Sequence, residues 1–218
     1  MLTFENTTFG YNGHSIVKDV NLNITQGEFN FLIGKSGAGK STLLKLVYAD
    51  ILPTSGNINF LQYDYNKLKN KNIPLIRRKI GVIFQDFKLL KDRNIFDNLA
   101  FVMEVTNTPK SKIKKRVDEV LADVGLTHKK RHLPEQLSGG ELQRAAIARA
   151  IINEPMLVLA DEPTGNLDPE TTAEIMEIIL RIYKRGTTFL FATHNYDLVN
   201  KYTFPVYKIE NQKLLKMR

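Results

Sequence analysis

The 218-residue sequence predicts an α/β fold: a sheet of short buried strands carrying polar residues at their carboxyl ends, preceded by an N-terminal antiparallel β subdomain and interrupted by an inserted α-helical subdomain. Three observations predict it. Apolar runs of about five residues, at 29–33, 80–84 and 156–160, are strand-length and stop abruptly at glycine-rich or polar residues. Before the first run, Leu2, Phe4, Val20, Leu22 and Ile24 alternate with polar neighbours, as half-buried strands do. From residue 86 to about 153 the strand signals cease and helical spacing replaces them.

In chain order, Gln26-Gly27 turns into the 29–33 strand, and Leu43-Leu44-Lys45-Leu46-Val47 opens a helix after it. The 53–56 stretch, Pro-Thr-Ser-Gly, is a turn before a strand at 57–60; 66–72 is a polar surface loop; Pro74 opens a short helix through Arg78. Asn94 caps a helix with Ile95, Phe96, Leu99, Ala100 and Met103 on one face. Ser111 caps the next, which carries Ile113, Val117, Val120, Leu121 and Val124 and ends at Gly125. Ser138 opens a third helix, terminated by Asn153 and Pro155. Asp168-Pro169 begins another, with Ile175, Ile178, Ile179 and Ile182 inside and Gly186 as its stop. A strand at 187–193 and a hairpin across 205–217 complete the chain. The expected organisation is one domain, 1–218, with a core of 1–85 and 154–218 and a helical subdomain of 86–153.

Composition narrows the functional classes. No apolar run approaches the roughly 18 residues of a membrane span, and the N-terminus lacks the basic and then apolar regions of a signal peptide, so a cytoplasmic protein is expected. The absence of cysteine excludes disulfides and thiolate metal sites. The net charge of +8 is dispersed over clusters at 77–79, 110–116, 129–131 and the C-terminus. Such dispersion fits solvated helix faces or a leaflet-facing surface, and no specific nucleic-acid partner is expected.

Chemistry concentrates at the strand ends. Gly34-Lys35-Ser36-Gly37-Ala38-Gly39-Lys40-Ser41-Thr42 satisfies the phosphate-loop pattern between a strand and a helix. Its glycines turn backbone N–H groups inward, the helix N-terminus adds positive potential, Lys40 reaches the terminal phosphates, and Ser41 is placed to ligate magnesium. Strand 80–84 ends at Gln85, an amide suited either to capping the sheet or to magnesium and water. Strand 156–160 releases Asp161 and Glu162, which fit a metal contact and a general base. His194 emerges at the same edge. Ser138-Gly139-Gly140 is locally a helix start whose free N–H groups also make an anion site. Tyr11 is either a strand-end aromatic or a flat platform for a base.

Taken together and in this order, these residues resemble the ATP-binding subunits of ABC transporters over essentially the whole chain. The Leu-Ser-Gly-Gly-Glu-Leu-Gln-Arg stretch at 137–144 beside the phosphate loop is the most specific element. The resemblance implies a core of the ABC ATPase type that binds ATP and Mg2+. Tyr11 stacks the adenine, the 34–42 loop binds phosphates, and Ser41, Gln85 and Asp161 hold the metal. Glu162 is the catalytic base, His194 senses the γ-phosphate, and Asp168 closes the Gly165-Asn166-Leu167-Asp168 loop. It also implies a head-to-tail homodimer with two nucleotides between protomers, Ser138, Gly139 and Gly140 completing the site of the other copy.

Outside these motifs, 76–90 and 31–41 resemble the cell-division branch of the family, which implies an FtsX-like integral membrane partner and a peripheral position on the cytoplasmic face of the membrane. Lipoprotein-release and macrolide-export ATPases are the alternative, and a soluble ATPase acting on DNA or ribosomes a more distant one. Lys35, where proline is more usual, and Leu142 depart from the pattern at variable positions. Phe87, Leu89, Leu90, Ile95 and Phe96 form either subdomain core or, as the resemblance implies, a groove for a helix of the membrane partner.

Overall fold

A computed structural model describes all 218 residues. Strands β1 (Leu2–Tyr11), β2 (His14–Ile24), β4 (Ser55–Phe60) and β5 (Tyr63–Asp64) form an antiparallel sheet in the order β2-β1-β4-β5. The second sheet has six strands: β3 (Phe29–Ile33), β6 (Ile80–Ile83), β7 (Leu157–Asp161), β8 (Thr188–Thr193), β9 (Val206–Glu210) and β10 (Lys213–Lys216), ordered β10-β9-β3-β8-β7-β6. All its pairings are parallel except that of β9 with β10. Four parallel neighbours, β3, β8, β7 and β6, therefore deliver their carboxyl ends side by side. That edge is where the polar strand ends were expected to meet.

The side-chain period of two divides the core along this sheet. Phe29, Phe31, Val158, Ala160, Phe189 and Phe191 face one hydrophobic cluster, while Leu32, Leu157, Leu159, Leu190 and Ala192 face the other. The second cluster fills the space towards the antiparallel sheet and includes Leu43, Leu44, Leu46 and Val47 of α1 (Lys40–Val47). The first is roofed by α3 (Ile95–Val105), α4 (Lys110–Asp123), α5 (Gly139–Ile151) and α6 (Pro169–Lys184), after the short α2 (Ile73–Arg77). A further short helix, α7 (Tyr196–Asn200), follows β8 and was not anticipated; its five residues are too few to show a periodicity.

Local expectations mostly survive in detail. Asn94 accepts from Asp97 N, Asp168 from Thr171 N, and Ser138 and Glu141 form a reciprocal capping box. Ser111 does not cap α4, because the helix begins one residue earlier behind Pro109, which makes no side-chain cap bond. Phe9, Gly10 and Tyr11 do not interrupt β1. They remain paired with β2 through a shifted register. The strand after the Pro-Thr-Ser-Gly turn starts at Ser55, and the polar 66–72 stretch contains two single 3-10 turns.

The C-terminal hairpin turns at Asn211 and Gln212, both at positive φ, and Lys18 N donates to Gln212 O at 2.7 Å, which ties the two sheets together. The loop after β3 also leans on this hairpin. A Cβ on Gly34 would lie 2.9 Å from the Ile209 carbonyl oxygen, so the position has no room for a side chain.

Candidate functional site

A cleft of about 270 Å³ opens at the carboxyl edge of the six-stranded sheet, lined by Lys40, Ser41, Gln85, Glu162 and His194 together with Ser36, Gly37, Gly39 and Thr42. Each arrives from a different strand end. The loop follows β3, His194 follows β8, Glu162 follows β7 and Gln85 stands two residues beyond β6. Parallel pairing alone brings together residues more than 150 positions apart in sequence.

The loop is shaped for an anion. Gly37 has φ 77° and Gly39 φ 104°, and a Cβ on Gly39 would meet Ile16 Cγ2 at 3.1 Å and Val17 Cγ1 at 3.2 Å. Gly39 caps α1 without a side-chain bond, so the first N–H groups of the helix have no side-chain acceptor. Ile16 of β2 lines the cleft, a contribution the sequence does not signal because it comes from the other sheet.

Lys40 is 6% exposed, and its Nζ donates to Gly34 O at 2.8 Å and Lys35 O at 3.3 Å and lies 3.1 Å from Glu162 Oε1. Glu162, 9% exposed, has φ 48°, a left-handed conformation uncommon for a residue with a Cβ, and its N–H donates to Ala192 O at 3.0 Å. This twist at the end of β7 turns its carboxylate towards the loop. Oε1 also lies 2.9 Å from His194 Nδ1, and Oε2 accepts from His194 N at 3.2 Å. Lys40, Glu162 and His194 therefore form one chain of charge-assisted contacts.

Asp161 is adjacent and differently placed. Burial raises its carboxyl above the usual carboxylate range, the Ser41 hydroxyl opposing this, while Glu162 raises it further. Its Oδ1 is buried with no hydrogen-bond partner. A buried carboxylate oxygen without a partner, on a side chain close to the Ser41 hydroxyl, fits a hard divalent cation. The chain offers few oxygen donors there, so an ion would complete its shell with phosphate and water.

The remaining candidates lie elsewhere in the chain. Tyr11 is 50% exposed, edge-on to Phe9 with ring centroids 4.9 Å apart, and does not line the cleft. Lys35 is exposed beside the cleft and supplies a carbonyl to Lys40, and Ala38 is partly buried against the second core cluster. Ser138 and Gly139 are exposed at the start of α5, and a Cβ on Gly140 would lie 2.7 Å from Thr171 Cγ2 at the start of α6. Both carboxylate oxygens of Asp168 accept from Thr171, from its N–H at 2.9 Å and its hydroxyl at 2.6 Å. None of these α5 and α6 residues lines the 270 Å³ cleft of the same chain.

A family model described as ABC transporter matches residues 17–165. The cell division ATP-binding protein FtsE of Bacillus subtilis strain 168 is 50% identical over 200 residues, covering 92% of this chain and 88% of that one. FtsE of Streptococcus pneumoniae D39 is 46% identical over 205 residues, covering 94% and 89%. The chain belongs to the FtsE family of ABC ATPases. The solved dimer of the ATP-binding cassette MJ0796 in a post-hydrolysis state with ADP and Pi superposes with TM-score 0.86 at 31% identity, over 100% of this chain and 99% of that one. As an FtsE-family protein the chain is an ATP-binding subunit that hydrolyses ATP.

A second cavity of about 520 Å³ runs along the free edge of β6, lined by Tyr48, Val82, Phe84, Val102, Val105 and Arg149 among others. The groove expected at Phe87, Leu89, Leu90, Ile95 and Phe96 is not formed by those residues. Ile95 is fully buried, and Leu89 and Phe96 pack against the first core cluster. The chain reverses at Phe87 and Lys88, both at positive φ, so Phe84 before the reversal faces the cavity.

Proposed function

We propose that this chain is the ATPase of a cell-division ABC complex, working as a head-to-tail homodimer on the cytoplasmic face of the membrane with an FtsX-like integral membrane partner. One observation carries the dimer: the start of α5, with Ser138 and Gly139 exposed, lies outside the cleft that holds Lys40, Ser41 and Glu162, so it is free to complete the site of a second copy. The related cassette solved as a dimer with ADP and Pi supports this reading, and the names of the FtsE relatives support the cellular role. No helix of the chain is long and apolar enough to cross a membrane.

In this reading Lys40 turns from Glu162 to the β- and γ-phosphates, with the loop N–H groups around them. Tyr11 offers its face to the adenine. Ser41, Asp161 and Gln85 hold Mg2+, which neutralises phosphate charge when bound. Glu162, released from Lys40, polarises the attacking water. His194 keeps that carboxylate oriented and steadies charge developing on the γ-phosphate. Ser138, Gly139 and Gly140 of the second copy contribute a helix N-terminus from the other side, with Asp168 fixing the start of α6 beside them. The 520 Å³ groove at Val102 and Val105 receives a cytoplasmic helix of the partner.

Complementation tests the shared site. Lys40→Ala and Ser138→Arg are each inactive alone, but a mixed dimer of the two contains one intact composite site. Recovery of phosphate release on mixing supports the reading; two inactive variants that stay inactive together, while shown to associate, overturn it.

A further inference from the structure

The segment after Gln85 is held in an unfavourable shape. Phe87 and Lys88, neither a glycine, have φ 59° and 52°, with Phe87 N donating to Phe84 O at 3.2 Å and Lys88 N to Asp86 O at 2.6 Å. Two successive left-handed residues with Cβ atoms persist only where surrounding contacts enforce them. Both side-chain hydrogen bonds to the segment's carbonyls come from one residue, and Lys88 Nζ also lies 2.7 Å from Asp86 Oδ2. Arg149, near the end of α5, donates from Nη2 to Phe87 O at 2.8 Å and from Nη1 to Lys88 O, with its guanidinium 5.9 Å from the Phe84 ring centroid. The planar fork spans two adjacent carbonyls, a match lysine does not offer. Burial lowers the Arg149 pKa, partly offset by Asp86. An arginine held at that cost in desolvation is placed for its geometry.

From this geometry we infer that Arg149 is a positioning residue for ATP hydrolysis, fastening the 87–88 reversal, and through it Gln85, to the helix that begins at Ser138. The helix between them, Gly139–Ile151, is 13 residues of continuous hydrogen bonding. Gln85 lines the ATP cleft and Arg149 lines the 520 Å³ groove, so the same fork joins the cleft, the groove and the Ser138 turn. The inference rests on the proposed placement of Gln85 at the phosphate and metal.

Phosphate release and ATP affinity are measured on the full chain. Arg149→Ala is expected to lower kcat on the order of tenfold or more with ATP affinity nearly unchanged, as for a displaced positioning group. Arg149→Lys behaves in the same way. Lys88→Val, an exposed change that a left-handed residue resists, reproduces the loss even if Arg149→Ala folds poorly. Lys88→Gly alone keeps normal turnover, and in the Arg149→Ala background it restores turnover severalfold, because glycine adopts the reversal unaided. Normal kcat in Lys88→Val, or no recovery in the double variant, overturns the inference. Gln85→Ala separates the two layers: if it hydrolyses normally, the placement of Gln85 fails and the inference with it. If it is inactive while Arg149→Ala is normal, the inference alone fails.

Discussion

Lys40 Nζ stands 3.1 Å from Glu162 Oε1, two buried and opposite charges that occupy each other in the cleft proposed to bind the nucleotide. ATP must displace Glu162 from Lys40, so loss of the carboxylate charge is expected to free the lysine. Glu162→Gln should retain or tighten ATP binding, lower turnover by at least about a hundredfold and accumulate a closed dimer with ATP. Nucleotide titration, a phosphate-release assay and size-exclusion chromatography check the three parts. Undiminished turnover would remove Glu162 as the base.

Asp161 gives a pH-dependent prediction for the nucleotide-free chain. Its folded pKa is raised from 3.8 by burial, so its ionised form weakens the fold above that value, increasingly until the raised pKa is passed. Asp161→Asn should therefore melt at a higher temperature than the parent at neutral pH, and the difference should vanish below about pH 4. The same variant should lose the Mg2+ dependence of its nucleotide-induced thermal shift.

Asp123 shows the opposite sign. Arg185 donates to both its oxygens, at 2.6 and 2.9 Å, and holds its carboxyl below 3.8. The stabilisation is complete above 3.8 and is lost as pH falls through the lowered folded value. Because Arg185 is half exposed, its contribution is about 0.5–1 kcal/mol, the upper range for surface pairs. Chemical denaturation of Arg185→Gln at pH 7 and at pH 3 should show the larger difference at the higher pH.

The proposed partner groove is tested at Val105, which is 54% exposed and lines the 520 Å³ cavity. Val105→Asp should abolish capture of the membrane partner from detergent-solubilised membranes while ATP affinity is retained. Phe87→Asp should be less damaging to capture. Recovery of an exporter permease instead of an FtsX-like protein would redirect the cellular assignment.

Much of the fold was legible because its signals are local. The caps at Asn94, Ser138 and Asp168, the 211–212 turn and the apolar strands each depend on a few neighbouring residues. The members of the cleft were legible for the same reason, each lying at a strand end. Their mutual arrangement was not. The pairing of Lys40 with Glu162 depends on the order β3-β8-β7-β6 and on the positive φ of Glu162, and Ile16 enters from a separate sheet. That Ile95, Leu89 and Phe96 belong to the core, one of the two readings the sequence left open, was not decidable because the reversal at 87–88 occurs without a glycine to announce it.

The approach of Gly34 to Ile209 has a consequence for biosynthesis. The loop leaves the ribosome early, yet the backbone it leans on, and the strand that pairs with Phe31, Leu32 and Ile33, are translated some 170 residues later. A nascent chain carries the complete phosphate-loop motif for most of its synthesis without the support that shapes it.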